Sequence, residues 1–139
     1  LFHNVSFVGS EELARRLGPN GEGVIVTQVV PPPRIDDTSD PLPGVSDYIH
    51  LLRYYYPDSK PSFVGLEGYL NARILAEGLK RAGRKITREK FIQAIETINQ
   101  YDLGIQHLLS FGKGDYQGLD EIYYTIVKNG ELVLFDDDF

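Results

Sequence analysis

The side chains able to do chemistry are few and scattered. Histidines stand at positions 3, 50 and 107 and cysteine is absent, so no two imidazoles share a helical face and no thiolate is available for zinc or nucleophilic attack. Each histidine reads as a structural or exposed side chain. The sequence has no G-x-S-x-G elbow, Walker loop or H-E-x-x-H helix. Gly112-Lys113-Gly114 offers backbone N–H groups, but a phosphate cradle opens a helix and this stretch precedes strands, so it reads as a turn. Asp136-Asp137-Asp138 lacks the spaced oxygen ligands and central glycine of a calcium loop and reads as a solvated acidic end. No cofactor or metal is expected.

The remaining group is Gly9-Ser10-Glu11-Glu12. It puts a hydroxyl and a carboxylate where a strand ends and a helix begins, the place where open α/β sheets bind ligands. The same residues also have a structural reading. Ser10 can cap the helix, and Glu11 and Glu12 in its first turn favour the positive end of the helix dipole. A third reading makes Glu11 or Glu12 the general base of a small enzyme. Spacing leaves these open.

Two further clusters are read as structural. Lys80, Arg81, Arg84, Lys85, Arg88 and Lys90 fall at the end of one helix and the start of the next, where cations offset the helix dipole and stay solvated. No aromatics are interleaved to stack bases, so no nucleic-acid partner is expected. In Tyr54-Tyr55-Tyr56 successive rings point about 100° apart on a helix, too divergent for one stacking platform; a helix end half-buried on a neighbour is expected.

The elements that position these groups follow from composition and pattern. The 139 residues carry a formal charge of −6, with 42% hydrophobic and 24% charged residues, ordinary for a globular domain that buries roughly two-thirds of its unfolded surface. The charge is uneven: residues 1–59 hold four basic and eight acidic residues, 60–90 eight and three, and 91–139 two and nine. No apolar run approaches the ~18 to 20 residues of a membrane span. The chain opens on Leu1-Phe2 and contains no methionine, as a mature product or an excerpt would.

Val5 to Val8 is predicted to be a short buried strand, followed by a helix bearing Leu13, Ala14 and Leu17 and stopped by Gly18-Pro19-Asn20-Gly21. Gly23 to Val30 is apolar on both faces and reads as a strand covered on either side. Pro31 to Gly44 reads as an extended surface connection. Three amphipathic helices follow: one with Val45, Tyr48, Ile49, Leu52 and Tyr56; one over Leu66 to Ala82 burying Leu66, Tyr69, Leu70, Ile74, Leu75 and Leu79; and one capped by Thr87 with Phe91, Ile92, Ile95 and Ile98. His107 to Phe111 is a strand candidate. Ile122 to Val127 pairs with Leu132 to Phe135 across Asn129-Gly130, a strong hairpin signal because both turn residues accept positive φ. The fold class is therefore α/β.

In its segments FVGSEELARRLG, GEGVIVTQVVPPP, GYLNARILAEGLKRAG and LLSFGKGDYQGLDEIYYTIVKNGEL the chain resembles the C-terminal part of type I periplasmic binding proteins. The resemblance is narrowest to the leucine/isoleucine/valine-binding branch, the substrate-binding receptors of ABC transporters. It covers nearly all of this chain and somewhat less than half of a family member. It implies two lobes of three αβα layers joined by chain crossings, with the ligand between them. Residues 1–26 would end the second lobe, 27–33 cross, 34–103 complete the first lobe, 104–111 cross again and 112–139 return as the C-terminal hairpin of the second lobe.

The resemblance implies a periplasmic or extracellular binding protein, lipid-anchored in some members and not an enzyme, whose partners are a small amino-acid-like ligand and a transporter permease. Glu11, with Ser10 beside it, would meet the ligand's ammonium group, Phe63 would line the apolar side, and Val30, Pro31, Leu109 and Ser110 would be hinges. The alternative on the same fold is the ligand-sensing domain of a membrane receptor or signalling protein. An isolated piece of this kind would expose apolar helix faces and self-associate or swap segments.

Overall fold

The computed structural model describes residues 2–34 and 42–135, and in them the apolar side chains sort into two cores. Asp36 to Ser39 in the predicted surface connection and the terminal Asp136-Asp137-Asp138 lie outside the described residues.

The first core forms on a sheet of order β1-β2-β5-β6. In it β1 (His3–Val5) runs parallel to β2 (Ile25–Gln28), β2 antiparallel to β5 (Tyr123–Lys128), and β5 antiparallel to β6 (Glu131–Leu134). Helix α1 (Ser10–Leu17) joins the parallel pair, as a crossover must because a short turn cannot reverse the chain twice. Its Ala14, flanked by Leu13 and Leu17, packs on Val24, Val26 and Val127. The hairpin between β5 and β6 turns at Asn129 (φ 53°) and Gly130 (φ 80°), the left-handed pair that the sequence predicts.

The second core is helical. Helices α2 (Pro43–Tyr55), α3 (Phe63–Ala82) and α4 (Arg88–Glu96) enclose Val45, Tyr48, Ile49, Leu66 and Leu70. The segment after α4 adds Ile98, Leu103, Ile105 and Leu109, and contains the two-residue antiparallel pair β3 (Tyr101–Asp102) and β4 (Leu108–Leu109). Val30, which follows β2, belongs to this helical core and not to the sheet core. Gly44 lies against the Leu103 carbonyl and donates its N–H to the Gly104 carbonyl at 2.8 Å, so α2 and the segment before β4 touch through backbone.

Several expectations are corrected. Val5 to Val8 is not a buried strand: β1 ends at Val5, Ser6–Val8 is a single 3-10 turn, and Phe7 is 89% exposed. The strand stops there because β1 is an edge, paired only with β2 among the described strands, and the chain must turn toward α1. In β2 only the α1-facing side is packed like a core throughout, and Val29 is exposed. Helix α3 begins three residues before Leu66, because Ser62 caps it by accepting the Gly65 N–H at 3.1 Å. Leu75 and Leu79, expected inside, are 51% and 45% exposed. Gly78 is the buried residue of that turn, where α4 lays Ile95 and Phe91 against the bare backbone. Ile92 is exposed for the same reason, since α4 turns Phe91 and Ile95 inward. The three tyrosines are exposed and not half-buried on a neighbour, with the Tyr54 and Tyr55 rings edge to face at 4.8 Å. The strand predicted over His107 to Phe111 contracts to Leu108–Leu109, with Phe111 instead donating its N–H to Ile98.

Candidate functional site

A cleft of about 300 Å³ opens between the two cores, walled by α1, the start of α3, the segment Pro32–Arg34 and the β5–β6 hairpin. Its lining is mainly apolar, with Ala14, Pro32, Pro33, Pro61, Phe63, Leu132 and Leu134, and carries the charged side chains of Glu11, Arg34 and Glu131. Such a lining suits a small ligand with an apolar body and polar ends.

Glu11 reaches the cleft because Gly9, at φ 70°, turns the chain sharply into α1 and leaves Glu11 in the first helical turn. Its Oε1 accepts the backbone N–H of Phe63 at 2.7 Å. Phe63 is the first residue of α3, so the carboxylate satisfies one of the N–H groups that a helix start leaves without an internal partner, and it sits at the positive end of the dipole. The approach to α3 is held from α2 as well, by the Tyr48 hydroxyl accepting the Ser62 N–H at 3.3 Å. Phe63 is buried and lines the cleft, whereas the following Val64 is exposed on another side.

Glu12 points elsewhere. It accepts from Arg15 and Arg16 at 2.6 Å on the exposed side of α1, and these hydrogen bonds, Arg15 first, lower its pKa to about 2. A carboxylate hydrogen-bonded to two guanidinium groups, with its pKa lowered, is a weaker proton acceptor than an ordinary glutamate.

The Ser10 hydroxyl does not cap α1. Gly9 occupies the cap position, and Ser10 is 1% exposed with its Oγ accepting from Gln28 Nε2 at 2.7 Å. Ser10 is therefore adjacent to the cleft residue Glu11 without lining the cleft itself. Val30 and Pro31 are buried where the chain leaves the sheet. Leu109 is buried at the other connection, and Ser110 there donates its N–H to the Gly118 carbonyl while its Oγ accepts the Gln100 N–H at 2.8 Å. Gln28 and Thr125 were not singled out from the sequence. The signal for Gln28 is its position two residues after Val26 on the α1-facing side of β2, since a buried polar side chain in such a row must have partners. Among the described residues no group of three or more His, Asp or Glu side chains could hold a metal ion.

Residues 2–131 match the family model described as periplasmic binding protein. The chain belongs to the periplasmic binding protein family. This binding protein is similar to a solved structure described as a possible leucine/isoleucine/valine-binding protein from Rhodopirellula baltica SH 1, at 33% identity and TM-score 0.86, covering 97% of this chain and 35% of that one. A substrate-binding periplasmic protein from Ralstonia solanacearum shares 25% identity at TM-score 0.77, covering 96% of this chain and 37% of that one. A branched-chain amino acid ABC transporter protein from Thermus thermophilus, solved with bound valine, has the same fold at 22% identity and TM-score 0.71, covering 100% of this chain and 39% of that one. A comparison with curated proteins found no match. The chain therefore has the α/β fold of type I periplasmic binding proteins and spans little more than a third of these relatives' length. Among the described residues no helix is long and apolar enough to cross a membrane.

Proposed function

We propose that the protein is an extracytoplasmic receptor for a small amino-acid-like ligand that serves uptake through an ABC transporter. The observation that carries this reading is the meeting of Glu11, from the sheet core, with the first residue of α3, from the helical core, at the wall of a largely apolar cleft. Glu11 is the acceptor for the ligand's ammonium group. With one oxygen on the Phe63 N–H, the carboxylate keeps lone pairs for a second, charge-assisted donor, and the partly closed cleft strengthens that contact relative to bulk water. Phe63 and the prolines supply the apolar wall. The relative from Rhodopirellula baltica supports a branched-chain amino acid as the ligand class.

On this reading residues 1–26 and 112–139 belong to one lobe, 34–103 to the other, and 27–33 and 104–111 are crossings. The separation of the sheet core from the helical core supports that division. Rotation about Val30-Pro31 and Leu109-Ser110 opens and closes the cleft. The transporter's permease is the partner that receives the closed form. Calorimetric titration of the full-length protein with leucine, isoleucine and valine tests the assignment: saturable binding of at least one is expected, and no heat from any of the three contradicts a branched-chain ligand.

A further inference from the structure

Gln28 ends β2 and is fully buried. Its Nε2 donates to Ser10 Oγ at 2.7 Å and to Thr125 Oγ1 at 3.3 Å, while the Thr125 hydroxyl donates onward to the Val26 carbonyl at 2.8 Å. One amide thus ties the first residue of α1 to the middle of β5. Its Oε1 is equally buried and has no hydrogen-bond partner among the described residues. Packing alone does not ask for such a residue: Val24 and Val26, on the same side of the strand, fill their places with apolar side chains and leave no acceptor unsatisfied. What the glutamine adds over an apolar residue is its two N–H bonds. They hold Ser10, whose neighbour Glu11 enters the cleft, and Thr125, which lines it.

We infer that Gln28 is a positioning residue for Glu11: through Ser10 it fixes the first turn of α1 so that the Glu11 carboxylate meets the Phe63 N–H and the cleft. Glu11 sits on a glycine-initiated helix without a side-chain cap hydrogen bond, so the bond from Gln28 to Ser10 is what ties the start of that first turn to the sheet. The link from Gln28 to the Glu11 carboxylate concerns the unliganded protein. Only its consequence for affinity rests on the assignment of Glu11 as the ammonium acceptor.

The test is amide hydrogen exchange by NMR on the unliganded full-length protein and its Gln28→Met, Ser10→Ala and Glu11→Ala variants. Phe63 N–H, whose acceptor is Glu11, should exchange about fivefold faster or more in all three, the change expected from losing one hydrogen bond. The β5 amides paired with β2 should keep their protection. Ser10→Ala removes only a hydroxyl and provides the answer if Gln28→Met fails to fold. Unchanged Phe63 exchange in Gln28→Met, or in Ser10→Ala if that is the variant that folds, overturns the inference, as does equal acceleration at every amide. Affinity for leucine supplies the second arm. Gln28→Met should weaken it in the parent, yet add nothing in the Glu11→Ala background, where its effect on Tm persists; an additive loss of affinity overturns the inference. If Glu11→Ala leaves leucine binding intact, the ligand assignment fails while the exchange result still decides the role of Gln28.

Discussion

The Glu11 carboxylate accepts the Phe63 backbone N–H at 2.7 Å across 52 residues of sequence, joining the start of one helix to the start of another. The contact links the sheet core to the helical core at the wall of the cleft. The Glu11 carboxylate completes the N-terminus of α3, and on the proposed function it also presents negative charge to the ligand. Removing the side chain therefore has a cost even without ligand. Glu11→Ala should lower unfolding stability by about 1 kcal/mol, the usual effect of losing a helix-start acceptor. Urea denaturation checks this, and an unchanged midpoint with unchanged slope would contradict the capping role.

Glu12 should show its pairing as a pH dependence. Its pKa falls from 4.5 to about 2 in the folded chain, chiefly through the hydrogen bond from Arg15. A carboxyl group whose folded pKa is depressed contributes stability that is complete above its unfolded value and disappears as pH falls through the folded one. The contribution should thus be intact above about pH 4.5 and lost toward pH 2, and it should be small because the pair is exposed and screened by salt. Denaturation of the parent and of Glu12→Gln across that window should converge at low pH; curves that stay parallel would show that the pair contributes nothing.

Gly44→Ala should destabilise the protein by roughly 1–3 kcal/mol, the cost of forcing a methyl group into a filled space. The new Cβ would collide with the Leu103 carbonyl, and the neighbouring Gly44 N–H bond to Gly104 would stretch. Because Gly44 has ordinary helical backbone, conformational freedom cannot account for such a loss. Thermal unfolding of the variant measures it, and a Tm equal to the parent's would mean that the two segments separate without cost.

Self-association of the 139-residue chain alone is expected from its helices. Val64, Leu75, Leu79 and Ile92 are all exposed large apolar side chains on α3 and α4. Sedimentation velocity at increasing concentration should show species heavier than the monomer, and Leu75→Lys with Leu79→Lys should reduce them. A single monomeric boundary at every concentration would contradict this.

Much of the fold was legible because its signals were local. Asn129-Gly130 announces the hairpin, Thr87 announces α4, and the stripe of Leu66 and Leu70 announces α3. What was not legible depended mostly on neighbours far away in sequence. Leu75 and Leu79 are the exception: they stand nine residues beyond Leu66 and Leu70 respectively, half a turn round the helix at about 100° per residue, so the buried stripe continues through Ile74 and Gly78 under α4 and leaves both leucines exposed. Ser10 fits a cap by type and position, yet Gly9 takes the cap and a glutamine 18 residues later takes the hydroxyl. Glu11 and Phe63 were legible through the resemblance to a family, whereas their direct contact appears only when the two cores are assembled.

The most direct measurement is calorimetric titration of the full-length protein and its Glu11→Gln variant with the amino acid that the parent binds. Glutamine keeps the shape and an acceptor for the Phe63 N–H but loses the charge that an ammonium group requires. Affinity at least about tenfold weaker, or 1.4 kcal/mol, is the predicted result. Equal affinity in parent and variant would contradict the role of Glu11 as the ligand's ammonium acceptor.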